Sequence, residues 1–182
     1  PAPSDQEIKK YLGPPLWYSF REYAGLSEKD VKHVVKVYRE YYHFTGQFEN
    51  RLYPGITQLL TQLQSNGIRL AVATSKIQHS AESIINYFQL DGYFDHVVGS
   101  DEHGVIRGTK GLVIQEAIRL VAQPRVPTVM VGDREHDIHG ASENGLTSIG
   151  VLWGYGHQDE LENAGANHIV DSVNALRNLL IS

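Results

Sequence analysis

The sequence predicts an α/β fold with a mainly parallel sheet, preceded by a separate all-helical segment. Two observations carry that prediction. Over residues 1–50 the only periodicity is helical, and no run alternates as a strand would. From Arg51-Leu52-Tyr53-Pro54-Gly55 onward, short apolar runs alternate with amphipathic helical stretches, the pattern of right-handed βαβ units. The expected domains are therefore 1–50, helical, and 51–182, α/β.

The elements follow in order. Ser4-Asp5-Gln6-Glu7 reads as a capping box ahead of Ile8 and Tyr11-Leu12, and Gly13-Pro14-Pro15 stops that helix. Ser27, with Asp30 three residues on, is the next cap. After it Val31, Val34, Val35, Tyr38, Tyr41 and Tyr42 recur on one helical face. That tyrosine run is read as core of the helical segment. Ile56, Leu59, Leu60 and Leu63 mark a helix ending near Asn66-Gly67. Strands are expected at Ile68–Ala73, His96–Val98, Thr128–Val131, Thr147–Leu152 and His168–Val170. Helices are expected at Ser80–Phe88, Lys110–Val121, about Asp137–Glu143, about Asp159–Ala164 and from the last strand to the end.

Composition narrows the function classes. With 41% apolar and 20% charged residues the chain is globular, not disordered or collagen-like. There is no cysteine, which excludes disulfides, thiolate metal sites and cysteine nucleophiles. The apolar runs are too short to span a bilayer, so no membrane partner is expected. Lysines and arginines are scattered and outnumbered, 16 against 21 acids, so nucleic acid is not an expected partner either. Without a charged-then-apolar leader, the expected compartment is the cytoplasm. The chain opens Pro1-Ala2-Pro3 rather than with methionine, and is read as a piece of a longer polypeptide.

In open α/β sheets ligands bind at the carboxyl ends of strands. Thr74-Ser75-Lys76 follow the first expected strand. Gly132-Asp133 follow the third, with Asp137 four residues on. Lys110 opens a helix behind the loop Gly104–Gly108. Hydroxyls, a lysine and two carboxylates on one edge suit a phosphate with a magnesium ion: lysine and hydroxyl bind phosphoryl oxygens, and carboxylates hold the hard cation. Each residue also has a plain structural reading, as a helix cap or a solvated side chain.

The set resembles the haloacid dehalogenase (HAD) superfamily, in its phosphoglycolate-phosphatase-like branch with a helical cap. Leu70-Ala71-Val72-Ala73-Thr74-Ser75-Lys76 is similar to the second HAD motif, Lys110 to the third-motif lysine, and Val129 to Asp137 to the fourth motif, GDxxxD. Tyr53-Pro54-Gly55 resembles the exit from the cap. Gly150-Val151-Leu152-Trp153-Gly154-Tyr155-Gly156 resembles a segment common in this branch, and Leu12-Gly13-Pro14-Pro15-Leu16 a cap loop near the substrate.

The resemblance implies a Rossmann-like three-layer sandwich with a small helical cap. It also implies a magnesium-dependent phosphatase of small phosphomonoesters acting through a phosphoaspartyl intermediate. Thr74 and Ser75 would bind the phosphate, Lys110 would neutralise its charge, Asp133 would hold magnesium, and Asp137 would support the metal directly or through water. Small phosphorylated metabolites are the implied partners. Lys110, opening a helix at a cleft, is expected to matter for turnover and little for folding.

One departure is decisive for the expectation. The family's first motif, DxDGT, carries its nucleophile and acid/base, and no DxD occurs in this chain. Residues 1–50 are then a partial cap. Residues 51–182 are a core without its first strand, expected to be inactive alone. The rival reading is a nucleophile-free HAD-like domain that binds phosphate or a partner. His136 and His139, beside Asp133 and Asp137, offer a zinc alternative that ranks behind magnesium. Trp153 and Tyr155 default to packing.

Overall fold

The computed structural model describes residues 4, 7–8, 10–11, 16–102 and 105–181. The expected helix stop at residues 13–15, the cap loop except Leu16, and Gly104 lie outside the described residues. The chain divides into two compact units, Pro1–Asn50 and Arg51–Ser182.

The first unit holds α1 (Leu16–Glu22) and α2 (Glu28–Phe44), followed by a 3-10 turn at Gly46–Phe48. Both expected caps form. The Ser4 backbone N–H donates to Glu7 Oε2 at 2.8 Å, and the Ser27 hydroxyl accepts from the Asp30 N–H at 3.3 Å. These bonds satisfy N–H groups that a helix start leaves without partners. The tyrosine run is not core here. Val31 is the buried residue of α2, whereas Tyr38 and Tyr41 are 38% and 55% exposed. The Tyr41 hydroxyl instead donates to Glu49 Oε2 at 2.6 Å. Amphipathic spacing identifies a face without saying what covers it.

The second unit begins with α3 (Ile56–Ser65) and alternates from there: β1 (Ala71–Ile77), α4 (Gln78–Tyr87), β2 (His96–Ser100), α5 (Lys110–Val121), β3 (Val129–Gly132), α6 (Glu135–Glu143), β4 (Thr147–Val151), α7 (Gln158–Asn163), β5 (His168–Val170) and α8 (Val173–Leu180). All strand pairings are parallel. Each expected strand and helix exists. One strand is shifted: β1 starts at Ala71 rather than Ile68 and runs through Thr74-Ser75-Lys76. Its partner sets the start. Leu70 and Arg69 are occupied by Asp95, and pairing begins at Ala71 opposite His96. The register then slips between Ala73 and Ile77.

Among the described residues the strands form two sheets, β1-β2 and β3-β4-β5. β4, with neighbours on both sides, buries four of its five residues. β3 and the Ala71–Ala73 half of β1 are apolar, yet neither strand has a buried residue. Helices join the two sheets. On one face Leu59 and Leu63 of α3 and Leu176 of α8 form a core with Ile149 and Val151 of β4. Elsewhere α5 sets Val113 and Ala117 against Val98 of β2 and also contacts α6. Fully buried side chains such as Ile114, Ile138 and Leu161 each contribute on the order of 2 kcal/mol by leaving water.

Candidate active site

The carboxyl end of β3 runs into the sharp turn Asp133-Arg134 and then α6. Asp137, in the first turn of that helix, is 5% exposed. Its Oδ2 accepts from the backbone N–H groups of Asp133 and Arg134, each at 3.1 Å. Its Oδ1 receives the Lys110 ammonium at 2.8 Å. The four-residue spacing thus closes the turn on itself, and a carboxylate at a helix start is favoured by the helix dipole.

Lys110 arrives from α5. Its helix is capped by the Thr109 hydroxyl, which accepts from the Leu112 N–H. Gly140 lets the two helices come close, since a Cβ there would sit 3.0 Å from Lys110 Cγ and 2.9 Å from Ile114 Cδ1. The Asn144 amide ties them further, donating to the carbonyls of Gly111 and Gly140 at 2.9 and 2.8 Å. The ammonium donates at 3.1 Å to the Ala73 carbonyl on β1. One side chain therefore links β1, α5 and α6. The plain reading of Lys110 as a solvated side chain does not hold, since its side chain is 14% exposed and its partner's is 8%, and a pair so shielded bears against the expectation that this lysine matters little for folding.

Asp133 is half-buried. Its Oδ2 accepts from the Tyr155 backbone N–H at 2.7 Å. The loop Gly154-Tyr155-Gly156 wraps the aspartate so closely that a Cβ at Gly154 would meet its side chain, and one at Gly156 its carbonyl oxygen. Tyr155 itself is 60% exposed. Tyr53 lies in the same electrostatic neighbourhood: burial, then Tyr155 and Asp133, raise its phenol above the ordinary value.

Lys110, Asp133 and Asp137 are thus joined by direct contacts, and Thr74 follows the residue whose carbonyl takes Lys110. The Thr74 hydroxyl accepts from the Lys76 N–H at 3.2 Å, a local turn bond. Ser75 is exposed, and its carbonyl accepts from the Ser100 hydroxyl at 3.1 Å. Among the described residues no group of three or more His, Cys, Asp or Glu could hold a metal ion, and His136 and His139 complete no such set with the aspartates.

Two residues were missed from the sequence. Glu160 on α7 receives both Arg134 Nε, at 2.7 Å, and the Glu135 N–H, at 2.9 Å, on the same oxygen. Burial raises its carboxyl, but the Arg134 and Glu135 bonds and the Arg134 charge outweigh this and leave it lowered. Asp101 accepts three backbone N–H bonds, from Val105, Ile106 and Arg107, and so shapes the loop that leads to Lys110. Those bonds hold its carboxyl at about 2. Asp101 follows a strand, a usable signal; Glu160 is one of several acids on a short helix and carried none.

The haloacid dehalogenase-like hydrolase family profile matches residues 1–151, most of the chain, a span that includes Thr74, Lys110, Asp133 and Asp137. The chain belongs to that family. Relatives agree over nearly the full length. A 5'-nucleotidase of Pseudomonas aeruginosa is 36% identical over 180 residues, 99% of this chain and 81% of that protein. The crystal structure of a predicted phosphatase from Clostridium acetobutylicum superposes with a TM-score of 0.88 at 40% identity, covering 99% of this chain and 83% of that one. The tyrosine-protein kinase PtkA of Mycobacterium tuberculosis is 36% identical over 162 residues, 89% of this chain and 55% of its own length.

Proposed function

We propose that this HAD-family hydrolase is a magnesium-dependent phosphatase of small phosphomonoesters. The supporting observation is the Lys110–Asp137 pair, which sets a cation at the carboxyl edge of the strands beside Asp133. A phosphate there would meet the Lys110 ammonium and the hydroxyls of Thr74 and Ser75. Lys110 would offset charge developing on the phosphoryl oxygens, and a donor fixed before the reaction does this at little reorganisation cost.

Carboxylate oxygens in a chain without thiolates are a donor set that fits a hard cation. Asp133 would hold the magnesium, which supplies charge neutralisation at the phosphate. Asp137 has three donors on its two oxygens, so its part is to hold Lys110 and the Asp133 turn, and to support the metal through them. The nucleophilic aspartate would come from a segment N-terminal to this chain, and the helical residues 1–50 would form part of a cap. β1 and β3 each have a single strand neighbour among the described residues, which agrees with a strand joining them there. Phosphoglycolate and nucleoside monophosphates are the substrates to assay first, because relatives bear the names phosphoglycolate phosphatase and 5'-nucleotidase.

Steady-state hydrolysis of these esters by the full-length protein, with magnesium and after chelation, tests the proposal. Magnesium-dependent turnover, and none from residues 1–182 alone at confirmed mass, is the expected result. Turnover by residues 1–182 alone would place the nucleophile within this chain and remove the missing-segment part of the proposal. The absence of DxD from the chain favours one second reading, a phosphate-binding domain without catalysis. Inactivity of the full-length protein toward every ester, with phosphate binding retained, would select it.

A further inference from the structure

We infer that Glu160 is a positioning residue for the metal-binding carboxylate of Asp133, acting through Arg134 and the start of α6. This rests on the proposed assignment of Asp133 to magnesium. The turn from Asp133 to Glu135 is held from two directions. From within, Asp137 takes the N–H groups of Asp133 and Arg134. From outside, the segment 154–160 closes on it: the Tyr155 N–H grips Asp133 Oδ2, Gly154 and Gly156 lie against Asp133, and Glu160 Oε1 takes Arg134 Nε and the Glu135 N–H.

Glu160 is the far anchor of that bracket. The Glu160 and Arg134 side chains are 21% and 22% exposed, shielded enough for the charge-assisted bonds to hold one geometry. Glu135 is the first residue of α6, so its N–H has no partner inside the helix, and Glu160 supplies one. Without Glu160 the first turn of α6 loses its tie to α7, and Asp133 at the base of that turn loses its fixed direction. Groups that orient a metal ligand from outside the coordination shell typically affect affinity by about 10- to 100-fold.

Manganese(II) is the probe, titrated into the full-length protein and read by the electron paramagnetic resonance of the free ion. Glu160→Ala is expected to bind it roughly tenfold more weakly than wild type. Glu160→Gln keeps an oxygen that accepts both N–H groups and should return to within about threefold of wild type. Hydrogen exchange at the Glu135 amide should speed up in Glu160→Ala and not in Glu160→Gln. If Glu160→Ala misfolds, Arg134→Met removes the guanidinium arm alone and should weaken manganese about threefold. Wild-type affinity in the folded Ala variant, or in Arg134→Met, overturns the inference while leaving the metal assignment standing. No manganese binding by wild type, or equal binding by Asp133→Asn, overturns the metal assignment and this inference with it.

Discussion

Lys110 Nζ and Asp137 Oδ1 meet at 2.8 Å between two helices, with only 14% and 8% of their side chains exposed. A buried pair of this kind adds little over a well-packed apolar pair, but losing one partner strands the other charge. In the full-length protein Lys110→Ala is therefore expected to lower stability by about 3 kcal/mol as well as to cut turnover about a hundredfold. Adding Asp137→Asn to that variant should recover part of the stability and none of the turnover. Denaturant melts with parallel kinetics check both. An unchanged melt would show that the pair is not formed in solution.

Asp133 and Asp137 should separate by assay. Asp133→Asn is expected to raise the magnesium concentration needed for half-activation by an order of magnitude or more, with a melt close to wild type. Asp137→Asn replaces an oxygen that faces donors with an amide that partly repels them, so its main effect should be a loss of about 2–3 kcal/mol in stability. Magnesium titrations and thermal melts of both variants decide it. Equal effects on magnesium activation would end the division of roles.

Asp101 gives a pH dependence with a definite sign. Its carboxyl is lowered from 3.8 to about 2, chiefly by the Arg107 N–H, with Val105 and Ile106 adding to it. A lowered carboxylate favours the folded loop above the ordinary value, and the benefit disappears as pH falls from about 4 to about 2. Amide exchange at residues 105–107, measured against the intrinsic rate at each pH, should accelerate across that window in wild type. In Asp101→Asn it should already be fast at neutral pH. A flat profile in wild type would remove Asp101 as the organiser of the loop.

Gly154→Ala places a methyl where the Asp133 side chain now lies. The loop or the aspartate must shift, so the variant is expected to fold and to need several-fold more magnesium for activation. A magnesium titration checks this. An unaltered half-activation point would mean that the loop gives way without moving Asp133.

The order of strands and helices after residue 55 could be read from the sequence because each is set by local patterning. Apolar runs bounded by turn residues mark the strands, and i, i+3, i+4 spacing marks helices such as Lys110–Val121, found with the expected bounds. That Asp133 and Asp137 share one turn was legible for the same reason, since a spacing of four is a distance the chain encodes locally. The tertiary structure alone decided whom these side chains touch. Lys110 reaches Asp137 across 27 positions and Ala73 across 37, and Glu160 reaches Arg134 across 26. Such contacts depend on how helices pack and how closely glycines let them approach, and periodicity carries no trace of that. The start of β1 and the exposure of Tyr41 escaped the sequence for a related reason. A strand begins where its neighbour begins, and a helical face is buried only where another element covers it.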